Sequence, residues 1–107
     1  MSFYGMFFGK NKHADELYKM LNLQKYSVGR YRDTFWGKDE DSGKVAIILR
    51  TRNGGGNRED YQDCFDDLKT HPNYLRDEDC NWDCTYADIY FSVPKEHKER
   101  MIEMIME

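Results

Sequence analysis

Proline is scarce in this chain of 107 residues, with only Pro72 and Pro94. No Pro-rich linker, internal repeat or low-complexity tract divides the sequence, so one continuous domain is expected over residues 1–107. Cysteine is scarce and odd in number. Cys64, Cys80 and Cys84 cannot pair off within one chain, which argues against a secreted disulfide scaffold and fits a reducing compartment. No apolar run approaches the ~18 residues that would cross a bilayer, and Met1–Phe8 has neither a basic leader nor a small-residue cleavage site, so a soluble, unexported protein is expected. Basic residues are outnumbered, 16 Lys+Arg against 20 Asp+Glu, for a formal net charge of −4. That field repels phosphate at long range, so a DNA clamp is excluded, no bulk nucleic-acid or membrane binding is expected, and any nucleotide site must be local.

Aromatic residues, in contrast, make up 15% of the chain, too many for a disordered segment. Ala14, Leu17, Tyr18 and Leu21 recur at helical spacing, predicting a helix over about 12–22 capped by Asn11. Residues 30–36 and 44–52 are rich in β-branched and aromatic side chains, and Asp39-Glu40-Asp41-Ser42-Gly43 between them supplies turn chemistry, predicting a hairpin. Gly54-Gly55-Gly56 ends the second strand. Asn57 then caps a helix from Arg58 to about Thr70, with Tyr61, Cys64, Phe65 and Leu68 on its stripe and Pro72 closing it. Residues 74–83 read as loop or short strand. Thr85, Ala87, Ile89, Phe91 and Val93 alternate with Cys84, Tyr86, Asp88, Tyr90 and Ser92, the pattern of a strand with one buried face. A helix over 95–106 is expected to turn Met101, Ile102 and Ile105 inward. The order (β)αββαβα, with an optional N-terminal strand, predicts an α+β fold: a mainly antiparallel sheet with helices packed on one face.

If the hairpin pairs Lys38 with Lys44, then Trp36 faces Ala46, Thr34 faces Ile48, Arg32 faces Arg50 and Arg30 faces Arg52. Four guanidiniums then gather beside the glycine loop while Tyr31, Phe35, Val45, Ile47 and Leu49 cover the core. Like charges ~4 Å apart repel by about 1 kcal/mol in water and ~4 at an effective dielectric of 20, so such a cluster calls for anions. The protein can supply them itself from Asp77-Glu78-Asp79 and Asp83. Alternatively the arginines, the backbone of Gly54–Asn57 and the following helix N-terminus grip a phosphate, against the competing Glu59 and Asp60 in that first turn. Tyr86 and Tyr90 with Asp88, joined by Trp36, are expected on the outward face, where aromatic rings beside arginines suit either a stacked base or a subunit interface.

Other chemistry is poorly represented. Cys80 and Cys84 lack a second paired motif for zinc, and His13, His71 and His97 are scattered. Asp77, Asp79, Asn81 and Asp83 imitate a calcium loop, but Trp82 stands at its sixth position and Asp88 at its twelfth. The glycine triplet lacks the Lys-Ser/Thr of a P-loop, and no nucleophile motif surrounds Ser27 or Ser42. No metal, cofactor or catalytic set is expected.

Several strings carry a resemblance: Phe8-Gly9-Lys10-Asn11 with Ala14-Asp15, Val28-Gly29-Arg30-Tyr31-Arg32-Asp33, Thr51-Arg52-Asn53-Gly54-Gly55-Gly56-Asn57-Arg58, His71-Pro72 with Tyr74-Leu75-Arg76-Asp77-Glu78-Asp79, and Asp83-Cys84-Thr85-Tyr86-Ala87. The chain resembles, over nearly its whole length, a family of small bacteriophage and prophage proteins; Cys80-Asn81-Trp82 departs from the more acidic pattern there. The resemblance implies a phage gene product acting in the host bacterial cytoplasm and assigns no activity. The expected function is therefore binding: a non-enzymatic homo-oligomer that holds an anionic nucleotide, such as an immune signalling nucleotide it sequesters. Its ligand residues would be Arg30, Arg32, Arg50, Arg52, Gly54, Gly55, Gly56, Asn57, Arg58, Trp36 and Tyr86. The alternative is a protein that inhibits a host defence enzyme or nuclease by presenting an acidic and aromatic surface.

Overall fold

The computed structural model describes residues 10–26, 31–52, 66–79 and 86–107; Lys10–Lys12, Tyr31–Asp33, Thr51–Arg52, Asp79 and Tyr86 enter by their backbone. Helix α1 (Lys10–Met20) winds Leu17, Met20 and Leu21 onto one stripe, all buried. Asn11 lies within the helix instead of capping it. Its end is set by Asn22, whose φ of 54° is left-handed and whose N–H donates to the Lys19 carbonyl at 3.0 Å. Asparagine tolerates this conformation better than most residues. A 3-10 turn, Leu23–Lys25, follows.

Four strands, β1 (Tyr31–Lys38), β2 (Val45–Arg52), β3 (Tyr74–Asp79) and β4 (Tyr86–Ser92), form one antiparallel sheet in the order β1-β2-β4-β3. Residues 66–68 form a helical turn that gives way to a turn at 69–70, and residues 58–65 of the helix expected over 58–70 lie outside the described residues. After a 3-10 turn at Lys95–His97, helix α2 (Lys98–Met106) ends the described chain. Side chains of α1 and α2 pack with Ile47, Leu49, Ala87, Ile89 and Phe91 on one face of the sheet, giving the α+β architecture. On the opposite face Phe35, Ala46, Ile48 and Tyr90 form a second buried cluster. The run Ala46-Ile47-Ile48-Leu49 is accordingly buried at every position, the signature of a strand covered on both sides.

The hairpin register differs by one residue from the expected one. Asp39 faces Lys44 just past the last ladder pair and closes a shorter turn than expected: its N–H donates to the Lys44 carbonyl at 2.8 Å, and its carbonyl accepts from Gly43 N–H at 2.7 Å. Gly43, at φ 73°, supplies the left-handed corner. The strands therefore pair Lys38 with Val45, Trp36 with Ile47, Thr34 with Leu49, Phe35 with Ile48, Asp33 with Arg50, Arg32 with Thr51 and Tyr31 with Arg52. Each strand's side-chain alternation is intact, but the set facing each partner is exchanged. Phe35 leaves the helix side, Trp36 joins it, and Val45 is 37% exposed.

Two further expectations are corrected, and the loop or short strand expected over 74–83 resolves as a strand over 74–79. Tyr90 lies on the expected face, opposite the helices, but is 1% exposed instead of open to solvent, because it packs with Phe35, Ala46 and Ile48 and the Arg76 guanidinium lies over its ring. Residues 74–79 are an edge strand, with a β-bulge between Tyr74 and Arg76 that leaves Leu75 as the extra residue. In α2 the buried pair is Met101 and Met104, while Ile102 is 57% exposed. His71 is a structural residue: its Nε2–H donates to the Leu21 carbonyl at 2.7 Å and its Nδ1 accepts Asn73 N–H at 2.9 Å, tying the end of α1 to the start of β3. Its ring meets Phe91 edge-on at 5.0 Å.

Candidate functional site

The register redistributes the arginines. Arg50 and Arg52 stand two apart on one face of β2, while Arg32, opposite Thr51, lies on the other. Arg52 is opposite both Tyr31 and Tyr86 in the ladder. Trp36, on the helix side with Ile47, does not share the face of Arg50. Arg30, Gly54, Gly55, Gly56, Asn57 and Arg58 lie outside the described residues.

Arg50 is held by a carboxylate. Its Nε and Nη2 donate to Asp88 Oδ1 and Oδ2 at 2.7 and 2.9 Å, and its guanidinium lies over the Phe35 ring at 5.4 Å. Asp88 stands directly opposite Arg50 in the β2–β4 ladder, so the sheet builds this two-pronged pair. A phosphate at Arg50 would have to displace Asp88. Internal pairing, one of the two readings of the arginines, thus applies to Arg50, with Asp88 as partner instead of the 77–79 run.

Two members of the acidic run, Asp77 and Glu78, are themselves engaged. Arg76, on β3, lies across the face of Tyr90 at 3.9 Å and bonds to Asp39 at 2.9 Å, Asp41 at 3.1 Å and Glu78 at 3.0 Å. The Tyr90 hydroxyl donates to Glu78 at 2.9 Å; burial first, then this bond and the Glu78 charge, raise its ionisation well above the usual tyrosine range. Asp77 accepts the Tyr74 hydroxyl at 2.7 Å. On the helix side Arg100 bridges α2 to Glu16 of α1, with contacts of 2.5 and 2.8 Å, and that bond holds the Glu16 carboxyl low. The three arginines whose side chains are described are therefore all carboxylate-paired. Among the described residues no group of three His, Cys, Asp or Glu side chains could hold a metal, and no helix is long and apolar enough to cross a membrane.

Where the sheet meets α2 the surface has the opposite character. A groove of about 470 Å³ is walled by Val45, Leu75, Val93, Met101, Ile102 and Ile105. Its polar lining is Ser42, Lys44, Ser92 and Lys98, with no carboxylate. Neither Lys44 nor Lys98 has an ion-pair partner among the described residues, unlike the paired arginines. Three structural devices shape it. The hairpin turn ends in Lys44 and delivers Val45, the bulge adds Leu75, and α2 carries more apolar residues than one core stripe needs. Bulges recur where a side chain must be re-aimed next to a working surface. Periodicity alone places both Ile102 and Ile105 in the core, and Ile105 does pack against it; Met101-Ile102, Met104-Ile105-Met106 wraps an arc wider than an ordinary buried stripe, and that surplus is the groove's signal.

No protein-family model matches this chain, and no solved structure matches it. Over 109 aligned positions it is 29% identical to an uncharacterised protein of Acanthamoeba polyphaga mimivirus. The match covers 98% of this chain and 46% of that protein, so the chain spans about half the length of the curated relative it matches.

Proposed function

We propose that this protein acts by binding a partner protein, as an accessory or inhibitory module of viral type, with the groove between α2 and the ends of β2, β3 and β4 as its seat. One observation carries the reading: partly exposed apolar side chains from three separate elements, Val45 at 37%, Leu75 at 44% and Ile102 at 57%, converge on a single groove. Isolated exposed apolar residues need no explanation, but a contiguous apolar surface rimmed by polar groups marks an interaction site. The viral relative is compatible with such a role. Sequestration of a nucleotide ranks second, because Arg50 is engaged by Asp88.

The test is a photo-crosslinking residue placed at position 102, with position 19 on the exposed side of α1 as control, in host lysate. A discrete protein adduct is expected from 102 and not from 19, and excess unlabelled protein should abolish it. A nucleotide that raises the melting temperature, with an effect kept in Ile102→Lys and lost in Arg50→Met, overturns the assignment.

A further inference from the structure

Resting on that reading of the groove, we infer that its occupant is an amphipathic helix of the partner whose apolar anchors are flanked by Asp or Glu. The wall supplied by α2 presents Ile102 and Ile105 above the buried Met101, a helix surface whose grooves can receive the side-chain ridges of a second helix. The opposite wall is contributed by Val45, Leu75 and Val93, all apolar. The one edge strand that lines it does so at its bulge, where ladder pairing is interrupted, so strand addition has no template here. A single small ligand calls for a more enclosing pocket than one that leaves Ile102 57% exposed, since small-molecule sites bury most of the ligand surface.

Charge selects the flanks of the incoming helix. The two ionised groups on the lining, Lys44 and Lys98, are both cationic and neither is neutralised within the described residues. The chain as a whole carries −4, so this positive rim is local and opposes the general field. A basic helix meets two ammonium groups with no carboxylate between them; an acidic one gains two charge-assisted contacts at the margin of an apolar seat.

Two fluorescent helical peptides test this against the full chain by anisotropy at low and moderate salt. They share Leu anchors at i, i+3 and i+7 and differ only in Glu or Lys flanks. The Glu peptide should bind at least tenfold more tightly, with the advantage weakening as salt rises, lost in the double variant Lys44→Gln/Lys98→Gln, and all binding lost in Ile102→Glu. Unchanged thermal melts would show that these variants remain folded. Equal binding of both peptides overturns the charge selection while leaving the groove as a protein seat. If neither peptide binds while position 102 still crosslinks a protein, the helical occupant is overturned and the binding role stands. A concentration-dependent dimer in sedimentation, abolished by Ile102→Glu, reassigns the groove to a second copy of this chain and likewise overturns the inference.

Discussion

Asp39 and Arg76 are 37 residues apart and meet through a 2.9 Å hydrogen bond from the guanidinium Nε to the carboxylate Oδ1. The bond reaches from the edge strand β3, across the Tyr90 ring, to the base of the β1–β2 turn. The same Asp39 carboxylate accepts the Ser42 hydroxyl at 2.9 Å and Asp41 N–H at 3.3 Å. One buried carboxylate therefore both shapes the turn and anchors it to a distant strand, and the turn in turn positions Lys44 and Val45 in the groove.

Replacing Arg76 with Met should cost about 2–3 kcal/mol, because Asp39, 3% exposed, keeps its charge and loses its strongest partner. Arg76→Lys should recover only part of this, since an ammonium does not reproduce the fork or the flat contact with Tyr90. Urea denaturation measures both, and an Arg76→Met variant within ~0.5 kcal/mol of wild type, the range of an ordinary surface change, would remove the clamp from the account.

Acid should release the same clamp. Burial alone would raise the Asp39 carboxyl, but the bonds from Arg76, Ser42 and Asp41 outweigh it and hold it below the ordinary carboxylate value. A depressed folded value means that the contribution is complete above the unfolded value of roughly 3.9 and disappears as pH falls through the folded one. The melting-temperature gap between wild type and Asp39→Asn should stay constant from roughly pH 7 to 5 and close below roughly pH 4. A gap that shrinks already between neutrality and pH 5 contradicts this.

The Arg50–Asp88 pair predicts a non-additive double-mutant cycle. Asp88→Leu and Arg50→Met should each destabilise by about 2–4 kcal/mol, while the double variant Arg50→Met/Asp88→Leu should lose well under the sum of the two single losses, since the double change leaves no buried charge unpaired. Additive losses in denaturant would show that the two side chains are not coupled.

How much of this was legible beforehand differs by element. The α+β class, α1, both hairpin strands and β4 follow from periodicity, because Leu17-Leu21 and Ala87-Ile89-Phe91 repeat at the spacing of their elements. The register did not follow. The string Asp39–Gly43 suits a five-residue turn as well as the four-residue one formed, and only the Asp39–Lys44 backbone bond decides between them. That one-residue difference moved Phe35, Trp36 and Arg32 to the opposite faces and separated Arg32 from Arg50. β3 reads only as loop or short strand because Tyr-Leu-Arg-Asp-Glu-Asp is acidic; Arg76 and the Tyr74 hydroxyl within the strand, and the Tyr90 hydroxyl from β4, engage Glu78 and Asp77.

Gly43→Ala isolates backbone conformation from packing. A methyl group there meets nothing within 4 Å, yet φ is +73°, so the loss should be about 1–2 kcal/mol and independent of side-chain volume. Gly43→Asn should cost less than Gly43→Ala, because asparagine visits the left-handed region more readily. Equal denaturation midpoints for the two variants would contradict the strain argument.

Neighbouring residues of α2 should respond in opposite ways. Met101→Ala, 3% exposed, should lower stability by about 2–4 kcal/mol. Ile102→Ser, 57% exposed, should change it by less than ~0.5 kcal/mol while reducing the affinity of a groove-bound partner. Stability from urea curves and affinity from anisotropy separate the two, and a large folding defect in Ile102→Ser would place that side chain in the core after all.

The extra residue in β3 has a consequence for how this sheet behaves in company. An open sheet margin ordinarily invites a passing polypeptide to join as another strand, and uncontrolled joining ends in fibrils. Here that margin is kinked at Leu75, so a newcomer meets a broken rung. The same kink therefore shields one border of the molecule from promiscuous growth while turning its apolar side chain toward the surface where company is wanted.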